Sequence, residues 1–137
     1  MKTFSLTDIG RVRETNQDYV YTSESPVGNL PNLFIVADGM GGHNAGDFAS
    51  KYTVEQIVSY IEHAPMKNPV DLIRGALNKT NAGLMAMAKS EERFSGMGTT
   101  AVIATIVDDC LHVANIGDSR LYLLRDELEQ ITKDHSL

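Results

Sequence analysis

Three aspartates stand where apolar runs begin or end. They are Asp18, Asp38 in the stretch Asp38-Gly39-Met40-Gly41-Gly42, and Asp118 in Gly117-Asp118-Ser119. One aspartate at a strand terminus is ordinarily a solvated turn residue. Three brought together would repel one another unless cations neutralised them. Their oxygen donors suit hard divalent ions, so the expected site is a multi-metal centre for Mg²⁺ or Mn²⁺. Arg13 lies five residues before Asp18. Its planar guanidinium matches the oxygens of a phosphate in a bidentate fork. A surface ion pair with Glu14 is the plain alternative. The chemistry suggested is phosphate recognition beside bound cations.

The glycine-rich turn after Asp38 raises a competing reading, a dinucleotide-binding loop. That motif needs a third glycine where this chain has Asn44. A carboxylate at the strand end would also repel a pyrophosphate. The loop reads better as a cation site, with its glycines letting the backbone fold closely around Asp38.

These residues must be held by elements that the pattern outlines. Phe4, Leu6 and Ile9 suggest a first strand ending at Gly10, and Tyr19 to Thr22 a second. Ser25 to Asn32 reads as a hairpin-like loop. Leu33 to Ala37 forms a short apolar strand that delivers Asp38 to the turn. A helix follows to about His63, with Asn44 as N-cap, Asp47 in its first turn, and Val54, Ile57, Val58 and Ile61 on one stripe. Pro65 ends it. A second helix starts at Asn68 as N-cap with Pro69 at its first position and Asp71 behind. Val70, Ile73, Leu77, Leu84 and Met87 give its apolar face, and Ala82, Gly83, Ala86 and Ala88 permit close approach. Met85, Met87 and Met97 read as core or gap-filling residues.

From Thr99 the pattern turns to strands separated by Asp108-Asp109, Gly117-Asp118 and Asp126-Glu127. Short connections imply an antiparallel meander. Thr99 and Thr100 are expected to hydrogen-bond in the core behind the site. His63, His112 and His135 carry no expected chemistry. Strands, two helices and strands again make an α+β order rather than an alternating one.

The 137 residues suffice for one core, and 42% hydrophobic with 22% charged residues is ordinary for a globular chain. A net charge of −6 argues against nucleic acid or an anionic membrane as partner. The single cysteine, Cys110, excludes an internal disulfide and reads as a small buried strand residue. With no signal sequence, this favours a reducing, cytoplasmic setting.

Arg-x-x-Asn-Gln-Asp (Arg13 to Asp18), Asp-Gly-Met-Gly-Gly-His (Asp38 to His43), Gly-Thr-Thr (Gly98 to Thr100) and Gly-Asp-Ser-Arg (Gly117 to Arg120) occur in that order. Through them the whole chain closely resembles the N-terminal part of a bacterial type 2C, metal-dependent protein serine/threonine phosphatase. The resemblance implies an antiparallel β-sandwich flanked by helices, with residues 1–137 forming the N-terminal portion of one catalytic domain.

By the same resemblance, Asp38 bridges two Mn²⁺ or Mg²⁺ ions and the Gly39 carbonyl ligates one of them. Asp18 approaches the second ion, Asp118 ligates the third ion of bacterial members, and Arg13 holds the substrate phosphate. The implied reaction is hydrolysis of phosphoserine or phosphothreonine by a metal-bridged hydroxide. His43 stands open between general acid and loop-orienting residue, because animal relatives carry the histidine where this chain has Met40. Gln17 sits where many relatives have glutamate, so it is not counted as a charged ligand. Phosphorylated proteins and an opposing serine/threonine kinase are the implied partners.

The family's later half supplies two further aspartates and a flap. A chain stopping at Leu137 is therefore expected to be unstable or to self-associate. The alternative reading is a non-catalytic phosphatase-like module that binds metal, phosphopeptide or a partner chain.

Overall fold

A computed structural model describes residues 1–42 and 44–135. Its strands are β1 (Asp18–Ser23), β2 (Leu33–Met40), β3 (Gly98–Thr99), β4 (Ala101–Val107), β5 (Cys110–Ile116), β6 (Tyr122–Leu124) and β7 (Leu128–Gln130). Two helices, α1 (Ala45–His63) and α2 (Pro69–Ser90), lie between β2 and β3. The main sheet is antiparallel in the order β1-β2-β4-β5, with β3 pairing the end of β2. β6 and β7 form a separate hairpin.

Alternation along β2 sorts its side chains. Leu33, Ile35 and Ala37 are buried, whereas Phe34, Val36, Asp38 and Met40 point the other way. The buried set joins Ile103 and the helix residues Val54, Ile57, Ile61, Leu72, Ile73 and Ala76 in one core. The helices thus cover one face of the sheet only. The opposite face leaves Val36, Ile106 and Leu111 exposed. This is half of a layered α+β sandwich, and no described helix is long and apolar enough to cross a membrane.

The helices cross closely where small residues permit it. A Cβ added to Gly83 would lie 2.3 Å from the Tyr52 hydroxyl, and one added to Gly75 would lie 2.2 Å from that of Tyr60. At the far end of the sheet, buried Asn32 ties β2 to β4. Its Nδ2 donates to the Ile106 carbonyl at 2.9 Å, and its Oδ1 accepts from the Ile106 N–H at 2.8 Å. Its own carbonyl accepts from the Thr105 hydroxyl at 2.7 Å.

Several sequence expectations need correction. Residues 1–10 form no strand, because none of the described strands pairs with them, and Phe4 and Leu6 remain exposed. β2 does not stop at the first glycine but continues to Met40, since Asp38 pairs with Asp18 and Gly39 with Thr99. Asn44 makes no side-chain cap; it enters α1 in the left-handed conformation at φ 67, which asparagine tolerates. The meander breaks after β5, because the Gly117 turn at φ 91 carries the chain off the main sheet. Cys110 opens β5 beside a tight turn and is exposed. Met97 is buried and Met87 partly so, but Met85 lies on an open helix face, 52% exposed.

Candidate active site

β1 and β2 run in a register that sets Asp18 directly opposite Asp38. Directly opposed residues on one sheet face have Cβ atoms about 5 Å apart, close enough for two carboxylates to interact strongly. Burial raises the Asp38 carboxyl above its ordinary pKa, and the charge of Asp18 and a hydrogen bond shared with it raise it further. The charge of Asp118 adds to the effect, and the guanidinium of Arg13 opposes it. Three residues spread over more than 100 positions therefore act on one carboxyl group.

The backbone around Asp38 is clamped from both sides. Its N–H donates to the Thr100 hydroxyl at 3.0 Å, and its carbonyl accepts from the Thr100 N–H at 2.9 Å. The same hydroxyl shares a 2.5 Å hydrogen bond with Ser119, the residue after Asp118. Thr100 thus ties the Asp38 strand to the Asp118 turn, which places it behind the site as expected. Beyond Asp118, Arg120 grips Asp134 through two hydrogen bonds, 3.0 Å from Nε and 2.6 Å from Nη2. The Gly117 carbonyl accepts from the His135 N–H at 2.9 Å.

The glycines of the turn answer a packing demand. A Cβ on Gly39 would fall 1.8 Å from the Gly46 carbonyl oxygen, so the start of α1 lies directly against the strand that carries Asp38. Gln17 locks this contact, and sequence reasoning gave it no role. Its carbonyl accepts from the Gly39 N–H at 2.9 Å, and its amide Nε2 donates to the Gly41 carbonyl at 3.0 Å. Only its position next to Asp18 hinted at such a function. His43 lies outside the described residues.

Do these residues fit a divalent metal? Among the described residues, no three His, Cys, Asp or Glu side chains form a cluster able to hold an ion by themselves. Mg²⁺, however, is held typically by one or two carboxylates and keeps several waters. Two opposed carboxylates with a third in electrostatic reach present hard oxygen donors, and their mutual repulsion is the strain a cation relieves. The donor chemistry fits.

The site is thus a clamped aspartate pair on an open sheet face, with an arginine and a third aspartate acting on the same carboxyl. The protein phosphatase 2C pattern matches residues 8–137, and the chain belongs to that family. The serine/threonine phosphatase Stp of Listeria monocytogenes is 41% identical over 136 residues, which cover 96% of this chain and 53% of that protein. The crystal structure of Stp1 from Staphylococcus aureus superposes with a TM-score of 0.84 at 34% identity, covering 96% of this chain and 52% of that one. A structure of the PstP catalytic domain in complex with two manganese ions gives a TM-score of 0.79 at 37% identity, covering 91% and 52%. The chain thus spans about half the length of the curated relatives it matches.

Proposed function

We propose that this chain carries the phosphate- and metal-binding half of a protein serine/threonine phosphatase. The observation that carries the proposal is the cross-strand pair Asp18–Asp38, with Asp118 and Arg13 acting on the same carboxyl. Asp38 would hold both of two Mn²⁺ or Mg²⁺ ions, with the Gly39 carbonyl on one and Asp18 near the other. Asp118 would serve a third. When bound, such ions supply Lewis acidity that lowers the pKa of water and neutralises charge on phosphoryl oxygens.

The chain's own groups do the rest. Arg13 orients the phosphomonoester by a bidentate fork and balances charge that grows on the equatorial oxygens. Thr100 holds the Asp38 backbone and Gln17 the glycines that follow it, so that the carboxylate needs no rearrangement when substrate arrives. His43 either delivers a proton to the leaving alkoxide or orients the turn. A His43→Gln variant decides between these, because only the first role removes the alkaline limb of the pH–rate profile. The phosphorylated proteins acted on require an opposing serine/threonine kinase, and the exposed thiol of Cys110 suits a reducing cytoplasm.

The test is Mn²⁺-dependent hydrolysis of a phosphothreonine peptide by the 137-residue chain. Activity abolished by chelator and by Asp38→Ala is the expected result, with Arg13→Lys retaining part of it and Arg13→Ala almost none. Hydrolysis that survives chelation or Asp38→Ala would overturn the proposal.

A second reading has its own support. The described acids form no complete three-ligand cluster, and the chain covers half of its relatives. A module that binds metal or phosphopeptide without turnover, or pairs through its uncovered sheet face, fits those facts. Mn²⁺ binding without hydrolysis, together with a dimer in solution, would favour it.

A further inference from the structure

A cleft of about 560 Å³ opens beside Asp118, where the C-terminal half of α2 faces the ends of β2 and β3. Its walls include Met40, Leu84, Met85, Met97 and Ile116, and Asp118 stands at its margin. Met85 and Met40 are 52% and 44% exposed, while Met97 floors the cleft at 8%; the Met85 sulfur accepts from the Asn81 side-chain amide at 3.7 Å. Met40 also lies across Gly98, its Sδ 3.7 Å from where a Cβ would stand. Unbranched, polarisable methionine side chains adapt to apolar partners of varied shape, which is their use at permissive binding surfaces.

Position says what such a partner would be. Met40 follows Asp38 by two residues on the same face of β2, so the two side chains stand roughly 7 Å apart along the strand. An extended peptide advances at the same rate of about 3.3 Å per residue. With its phosphate on Arg13 and the ions that Asp38 would hold, a substrate would bring a side chain one or two positions away to the methionines. Asp118 and His135 are the only titratable groups among the described lining residues, and they leave the methionine wall itself uncharged.

We infer that this methionine cleft receives an apolar side chain of the phosphorylated protein, one or two residues from the phosphoserine or phosphothreonine, and so selects substrates. The inference rests on the phosphatase reading of the neighbouring site.

The test measures binding of fluorescein-labelled peptides to the Mn²⁺-loaded chain by anisotropy, with a non-hydrolysable phosphonate replacing the phosphate. Four peptides combine phosphonate or free threonine with leucine or serine at the two flanking positions. The leucine phosphonopeptide should bind about fivefold more tightly than the serine one. Met85→Glu should reduce that ratio to near one, and Met85→Leu should keep it. Equal binding of the two phosphonopeptides overturns the inference and leaves the phosphatase reading standing. A leucine preference that survives Met85→Glu overturns it too, since the selection then arises elsewhere. Binding that ignores the phosphonate altogether overturns both readings.

Discussion

Asp38→Asn should make the metal-free protein more stable while removing its response to metal. In the folded chain the Asp38 carboxylate is partly desolvated and faces Asp18 across the strand pair, with Asp118 adding charge. Two like charges about 4 Å apart, as in carboxyls close enough to share a hydrogen bond, repel by roughly 1 kcal/mol even at the dielectric constant of water. The face is largely open, so about 1 kcal/mol is a fair size for the relief that asparagine brings. For a domain of this length that corresponds to a rise in Tm of about 4 °C. Thermal unfolding in EDTA, followed by circular dichroism, measures it.

Three further readings sharpen the experiment. Salt at about 1 M shortens the Debye length to roughly 3 Å, so the gain should shrink there. Lowering the pH should act on the wild type as the substitution does. A raised carboxyl pKa means the folded state binds the proton more readily than the unfolded state. Metal-free stability from this group therefore rises as pH falls through the folded pKa and levels off below the unfolded one. Finally, Mn²⁺ at tenfold its Kd should stabilise the wild type by about 1.4 kcal/mol and Asp38→Asn far less. A variant that is less stable than wild type in EDTA would refute the reasoning, since repulsion at Asp38 would not be the dominant local strain.

Gly39→Ala puts a methyl group where the Gly46 carbonyl already lies, so a loss of about 3 kcal/mol in urea unfolding is expected. Unchanged stability would mean α1 does not seat against β2. Asn32→Ala strands the Ile106 N–H and the Ile106 carbonyl at a buried position and should cost about 2 kcal/mol, read by the same denaturation. Asn68→Ala removes the cap that accepts from the N–H groups of Val70 and Asp71, and should lower stability by about 1 kcal/mol without altering metal affinity.

What could be read from sequence was what local chemistry determines. The Asn68-Pro69 helix start, the apolar stripe of α1 and the Asp108-Asp109 turn follow from short-range preferences, and the structure has each of them. That Asp18, Asp38 and Asp118 act on one another could be expected from acids recurring at strand ends, whereas Arg13 could as well have paired with Glu14. Features that depend on distant packing were hidden. The roles of Gln17 and Gly46 exist only once α1 docks on β2. Residues 1–10 carry a strand-like pattern but meet no partner strand among the described residues. Exposed Met85 shares its spacing with core residues, and only the position of β3 shows that it borders a cleft.

Asn32 sits six residues before Asp38, at the opposite end of β2, roughly 20 Å away. β2 and β4 are joined by no hairpin, so no turn dictates how they align. The hydrogen bonds of Asn32 to residues 105 and 106 choose among the possible alignments. Because strand side chains alternate, a slip of one residue would send the Asp38 carboxylate into the helix-covered core and turn Ala37 toward the open face. A misaligned chain would keep its sheet yet lose the face on which Asp18 meets Asp38. Damage at Asn32 should therefore show itself as a fraction of molecules blind to metal among normal ones, rather than as a uniform loss of affinity.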